Sequence, residues 1–172
     1  MNLLAFRSAV AADIPVLCEF LFDYGVNEWN HLPEGPIRAH LGGIAVGNAH
    51  AVLVERENRL LGFVSFELSN DMANYQPLDR RTALHGVIHE AVVGRDCQGQ
   101  GLGTQLLSAA VNRLTELGCR EVYVARHDEN PGSAGMMRKA GFEIIDVYDD
   151  FARRSTGNRR TAISRRLIDS PS

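Results

Sequence analysis

Apolar residues recur along this chain with two different periods, and the switches between them lay out its elements. Residues 3–8 read as a first strand. Ala12-Asp13-Ile14-Pro15 marks a helix start, with Asp13 as N-cap and Pro15 in the first turn. Val16, Leu17, Phe20 and Leu21 then follow at helical spacing. Residues 25–35, with Asn30, Pro33 and Gly35, read as a loop, and Ile37 to Val46 as a weaker helix diluted by Gly42 and Gly43. The runs 51–54 and 60–66 form a hairpin about the polar turn Glu57-Asn58-Arg59. A long polar connection covers 69–82, and Leu84 to Val93 is the next strand. From 101 to 117, Leu102, Leu106, Ala110, Val111, Leu114 and Leu117 line one stripe of a helix that stops at Gly118. A strand over 121–125, a short helix from about Gly132 to Ala140, and strands over 142–148 and 160–167 complete the pattern. The order β α α β β β α β α β β predicts a mixed α/β architecture with a partly antiparallel sheet.

Composition narrows the class. The 172 residues suit one domain, here taken as 1–172, and 45% of them are hydrophobic. A net charge of −3 gives no support to binding of nucleic acid or of a membrane surface. No apolar run approaches the ~18 residues of a membrane span, and Arg7 and Asp13 make the N-terminus a poor signal peptide. Three cysteines, Cys18, Cys97 and Cys119, show no paired metal spacing. So sparse a set points to a reducing cytoplasm rather than a disulfide scaffold, and no metal site is expected.

The chemistry concentrates after the strand that ends at Val93. There Gln98-Gly99-Gln100-Gly101-Leu102-Gly103-Thr104 leads straight into a helix. Unpaired N–H groups at a helix start make an anion site, and glycine allows close approach of backbone to a phosphate. A nucleotide P-loop requires a lysine after the glycines, and none is present. A dinucleotide fingerprint puts its third glycine where Thr104 stands, and its strand opens the domain, whereas this one lies past the middle.

The spacing Gln98-x-x-Gly101-x-Gly103 resembles the acyl-CoA signature of the GNAT acetyltransferase superfamily. Phe6-Arg7-Ser8-Ala9 with Asp13-Ile14-Pro15 resembles the opening strand and helix of that family, and Leu61-Gly62-Phe63-Val64 its third strand. Asn130, Ser133-Ala134 and Lys139-Ala140-Gly141-Phe142 resemble its second cofactor motif. The resemblance covers nearly the whole chain. It implies a mixed, mostly antiparallel central sheet of about seven strands with helices on both faces. It also implies acetyl-CoA as co-substrate. The diphosphate is then expected against Gln98, Gly99, Gln100, Gly101, Leu102, Gly103 and Thr104, and the pantetheine arm along Ala91, Val92 and Val93. Asn130 is expected to bond the cofactor, with Ser133, Met136 and Met137 along the cleft wall.

In such a family an amine attacks the thioester directly, and a base must remove its proton. Glu90, in the strand that carries the acetyl group, is the first candidate, with His89 second. Strand alternation places the two on opposite faces, so one of them points to the cleft. His85 and His127 rank lower. An N–H at Val92 or Val93 is expected to stabilise the thioester oxygen. The family's tyrosine, seven residues after the asparagine, is replaced here by Met137, which cannot donate a proton. Tyr148, Tyr123, water or unassisted thiolate departure remain as alternatives. Cys97 and Cys119 are candidate nucleophiles by chemistry alone, and Cys119 reads better as core.

For the acceptor, Glu28 and Trp29 offer charge and a ring face to a cationic amine, against the alternative that Trp29 packs on the core. Tyr148-Asp149-Asp150 and the arginines of 153–160 form the second candidate region, or a solvated face. The acceptor is expected to be a small-molecule or peptide amine, and a homodimer is expected by fold analogy. A non-catalytic acyl-CoA sensor is the alternative function.

Overall fold

The computed structural model describes residues 3–169. Residues 1, 2 and 170–172 of the expected single domain lie outside the described residues. Seven strands among the described residues form one sheet: β1 (Leu4–Ser8), β2 (His50–Arg56), β3 (Arg59–Ser69), β4 (His85–Val93), β5 (Glu121–His127), β6 (Glu143–Asp149) and β7 (Arg160–Leu167). Their spatial order is β1-β2-β3-β4-β5-β7-β6. Neighbours run antiparallel except β4 and β5, which are parallel.

Four α-helices among the described residues cover the sheet: α1 (Ile14–Tyr24), α2 (Glu34–Gly42), α3 (Leu102–Glu116) and α4 (Pro131–Lys139). Val52, Val54, Val64, Phe66, Ile88, Val122 and Val124 face the stripe Leu102, Leu106, Leu107, Ala110 and Leu114 of α3. On the other face Ala51, Leu53, Phe63 and Val92 pack under Leu17 and Leu21 of α1 and Ile37 and Leu41 of α2. The central strands are thus buried on both faces, which is why 51–54 and 61–66 read as continuous apolar runs. Leu106, Leu107 and Leu114 are fully buried, so truncating any of them to alanine costs ~2–5 kcal/mol.

Several boundaries differ from the sequence expectation, each for a local reason. The second helix starts at Glu34, not Ile37, because Pro36 falls in the first turn, where a backbone donor is not needed. It ends at Gly42, and residues Gly43–Val46 tighten into a 3₁₀ turn closed by left-handed Gly47. Asp13 occupies the expected N-cap place of α1, but its carboxylate makes no cap bond there. It accepts instead from Val10 N–H (2.7 Å) and from Arg7 (2.8 and 2.9 Å), and Arg7 also reaches Glu55. In the β2–β3 hairpin the turn is Glu57-Asn58 alone, both with positive φ, and Arg59 belongs to β3. The long connection is held down by buried Gln76, which accepts from Tyr123 Oη (2.6 Å) and donates to Glu121 (3.2 Å).

Candidate active site

Gly99 and Gly101 both have φ near +80°, the left-handed region where a side chain is strained. An added Cβ at either would meet nothing within 4 Å among the described residues, so both turn an open face to solvent. The first bond of α3 runs from Gln105 N–H to Gly101 C=O at 3.1 Å. The N–H groups of Leu102, Gly103 and Thr104 therefore precede the helical bonding and have no partner within it. Gly103 has a different purpose. A Cβ there would overlap Met136 Sδ, so the third glycine lets α4 close on α3. Free donors, a partial positive charge and an open face together fit a diphosphate.

β4 carries the second half of the site. It pairs with β5 only at Gly86, Val87 and Ile88. Beyond Ile88 the two strands part, while β4 stays paired with β3 as far as Val93. Gly94 N–H bonds Leu61 C=O at 2.8 Å, which makes that pair hydrogen-bonded. Alternation back along the ladder then commits Val92 and Glu90 to β3 and turns the backbone of Ala91 and Val93 toward the opening. Of the two N–H groups expected near the thioester oxygen, Val92 is spent on the sheet and Val93 is free to face the cleft. An extended amide chain fits that edge as an added strand would.

A bulge separates the two halves of β4. Ser65 pairs with Glu90 and Phe66 with Ile88, leaving His89 as the extra residue. This corrects the expected alternation. His89 Nε2 lies 3.1 Å from Glu67 and its ring 4.1 Å from that of His40 on α2. Glu90, two residues before Val92 of the α1/α2 core, points to the same side. His89 and Glu90 thus share one face because the bulge breaks the two-residue period. Glu90 is half-buried there, and removal from water pushes its carboxyl up to about 8. His40 Nε2 lies 3.0 Å from Ser65 Oγ. Burial, then the neighbouring His89, push the His40 imidazole down to about 3, so it is neutral.

The remaining candidates fall in distinct places. Asn130 caps α4, its Oδ1 accepting from Ser133 N–H at 3.2 Å, which leaves its amide NH₂ for other partners. Ser133 and Met136 are half-buried, whereas Met137 is 6% exposed within the α3/α4 core and shows the cleft almost no surface. Tyr148 is exposed on β6, and the hydroxyl of Tyr123 is engaged by Gln76. The Trp29 ring lies against the His127 ring, tilted by 60° with 4.8 Å between centroids, and the Trp29 carbonyl accepts from Arg154. The carbonyl of exposed Glu28 accepts from Thr156 Oγ1 at 2.7 Å. These contacts tie the 25–33 loop to the β6–β7 loop and leave the Glu28 carboxylate outside them. His127 is buried, accepting from Glu129 N–H and contacting Thr156 C=O, and His85 is buried and accepts from Met72 N–H. Both are structural. Cys97 and Cys119 are buried in the core, and burial pushes the Cys119 thiol up to about 11, away from nucleophilic use.

His40, Ser65 and Glu67 escaped the sequence reading, since they come from α2 and β3 and meet His89 only through the bulge. Arg126 escaped it too. It is buried at the splayed end of β5, and its Nε has no partner among the described residues. A cavity of about 350 Å³ lies between the β2–β3 turn and Asp96–Gln100, touching the glycine turn at Gln100 and with no lining residue from β5 or α4.

A sheet parted after one parallel pair, with a glycine-built helix start at the parting, defines an acyl-CoA-dependent acyltransferase. The chain matches the acetyltransferase (GNAT) family over residues 14–142 and belongs to it. It is 28% identical over 145 residues, 80% of this chain and 79% of the other, to the L-methionine sulfoximine/L-methionine sulfone acetyltransferase of Pseudomonas aeruginosa. Similar solved structures include the ribosomal-protein-alanine N-acetyltransferase of Brucella melitensis, with TM-score 0.75 at 17% identity over 95% of this chain and 99% of that one. Arabidopsis thaliana NAA60 in complex with acetyl-CoA aligns with TM-score 0.76 at 14% identity over 96% and 99%. The protein is therefore an acetyltransferase that uses acetyl-CoA and an amine acceptor, and the non-catalytic sensor reading is set aside. No helix among the described residues is long and apolar enough to cross a membrane.

Proposed function

We propose that this enzyme acetylates the primary amine of a small molecule or peptide, with Glu90 as the general base. Acetyl-CoA supplies the acetyl thioester. Gln98, Gly99, Gln100, Gly101, Leu102, Gly103 and Thr104 hold its diphosphate, and the backbone of Ala91 and Val93 holds its arm. Asn130, through its free amide NH₂, and Ser133 bound the cleft. The acceptor enters on the α1/α2 face, where Glu28, Trp29 and Tyr148 frame the approach. Glu90 takes the proton from the ammonium, His89 beside it is the alternative base, and Val93 N–H faces the carbonyl oxygen. With Met137 in the core, the thiolate takes its proton from water or Tyr148. The relative named for L-methionine sulfoximine makes amino-acid-like α-amines the first class to test. We place the enzyme in the cytoplasm and without nucleic-acid or membrane partners, a reading that the sparse, buried cysteines and the acidic balance support. Exposed Ile144 and Val147 on edge strand β6, with Phe151 just beyond its end, suit a homodimer face.

The observation that carries this reading is the half-buried carboxyl of Glu90, one residue past the bulge on the strand that lines the opening. Glu90→Gln is expected to lower turnover on amino-acid amines ~10²–10⁴-fold while leaving acetyl-CoA affinity unchanged. A variant that turns over at the wild-type rate removes Glu90 from the mechanism.

A further inference from the structure

Three side chains from three elements converge beside the candidate base. His40 of α2, Glu67 of β3 and His89 of β4 bring one ligand atom each within 4.8 Å of the others. Glu67 straddles the two rings, with Oε1 3.1 Å from His89 Nε2 and Oε2 3.5 Å from His40 Nδ1. His40 Nδ1 is buried and has no hydrogen-bond partner among the described residues. In a tetrahedral site with bonds of 2.0–2.1 Å, ligand atoms sit about 3.3 Å apart; one atom each from the three residues already lies within 4.8 Å of the others, and turning the Glu67 carboxylate closes the rest. His40 Nε2 lies against Ser65 Oγ at 3.0 Å, the kind of outer contact that fixes the orientation of a ligating imidazole. Two imidazoles and one carboxylate match the preference of zinc and its first-row neighbours, not that of magnesium or calcium. The side chains are 9%, 27% and 35% exposed, so the site is shielded at one end and reachable at the other.

We propose that His40, Glu67 and His89 form a binding site for a divalent transition-metal ion of the zinc class, oriented by Ser65 and open at one coordination position. The spacing of cysteines along the chain carries no trace of it, because none of the ligands is a cysteine and they lie 27 and 22 positions apart. The site is independent of the role assigned to Glu90, since metal affinity is read without acetyl-CoA or acceptor. The test is calorimetric titration of chelator-stripped protein with Zn²⁺ alone, beside Co²⁺ titration followed by visible absorption. The expected result is one saturable site with the ligand-field bands of four-coordinate cobalt. Glu67→Gln and His89→Gln, checked for folding by circular dichroism, are each expected to weaken Zn²⁺ binding at least ~100-fold, and Ser65→Ala ~10–100-fold. The cobalt spectrum needs no variant, so loss of fold in one does not blunt the test. No saturable Zn²⁺ binding by the wild type, an octahedral cobalt spectrum, or equal affinity in Glu67→Gln and His89→Gln would overturn the site.

Discussion

Glu90→Gln is expected to make the protein more stable at alkaline pH while it removes activity. The folded carboxyl titrates at about 8, against 4.5 for the same group in the unfolded chain. Between those values the folded state holds a proton that the unfolded state has released. Stability then falls as pH rises through that window, the reverse of an ordinary ion-paired carboxylate. At 1.36 kcal/mol per pKa unit the full window is worth on the order of 5 kcal/mol. Glutamine has nearly the same shape and stays neutral at every pH, so it escapes this loss. The variant is expected to match wild type near pH 4.5, to draw ahead as pH rises, and to hold its full advantage above pH 8. For a chain of this size each kcal/mol shifts Tm by about 2–4 °C, so the gap at pH 9 is on the order of 10 °C. His40 and His89 share the face, and both proteins keep them. The assay is thermal and urea unfolding by circular dichroism from pH 4.5 to 9, with chelator present and no ligand. Superimposable pH profiles, or a variant less stable than wild type at pH 9, would refute a desolvated carboxyl here.

The other expectations concern the glycine turn and the buried polar groups. Gly101→Val places a β-branched side chain at φ +77° and on the open face, so acetyl-CoA affinity by calorimetry is expected to be lost along with ~1–2 kcal/mol of stability; unchanged affinity would move the diphosphate elsewhere. Gly103→Ala sets the ~1 kcal/mol helix gain of alanine against displacement of the Met136 side chain, and a double-mutant cycle with Met136→Ala in urea unfolding is expected to read that displacement as coupling. Asn130→Ala removes the cap of α4 and is expected to cost ~1 kcal/mol even without ligand. Gln76→Ala strands the Tyr123 hydroxyl and a Glu121 oxygen in the interior, a loss of ~1–3 kcal/mol in unfolding free energy.

Periodicity in the sequence was enough to order every strand and helix, because most elements present an apolar stripe or run to one of two cores, although edge strands β1 and β6 hold no buried residue. The ends were less legible. Pro36 reads as loop by composition and yet sits in the first turn of α2, where its missing donor is harmless. The cofactor turn was legible because left-handed backbone at Gly99 and Gly101 demands glycine, and glycine is visible in a sequence. Two different causes put glycine in this motif. Gly101 answers to backbone conformation and open space, whereas Gly103 answers to the approach of α4.

The side of the sheet on which the chemistry sits was beyond reach, and one residue explains why. A bulge leaves no composition signature in His89-Glu90, since neither residue is a glycine or a proline. Strict alternation sends the two side chains apart; the added residue sends them to the same face, where α2 delivers His40 and β3 delivers Ser65 and Glu67. The same irregularity coincides with the last β4–β5 pair at Ile88, so the strands part where the polar cluster begins. Deleting His89 is therefore expected to restore the two-residue period and leave its neighbours on their faces. Ile88 stays opposite Phe66 toward the α3 core, and Glu90 stays opposite Ser65 on the polar face, so the loss is the imidazole beside Glu67 and not the packing of either core. A shortened chain that no longer unfolds cooperatively in urea would show that His89 is not the extra residue.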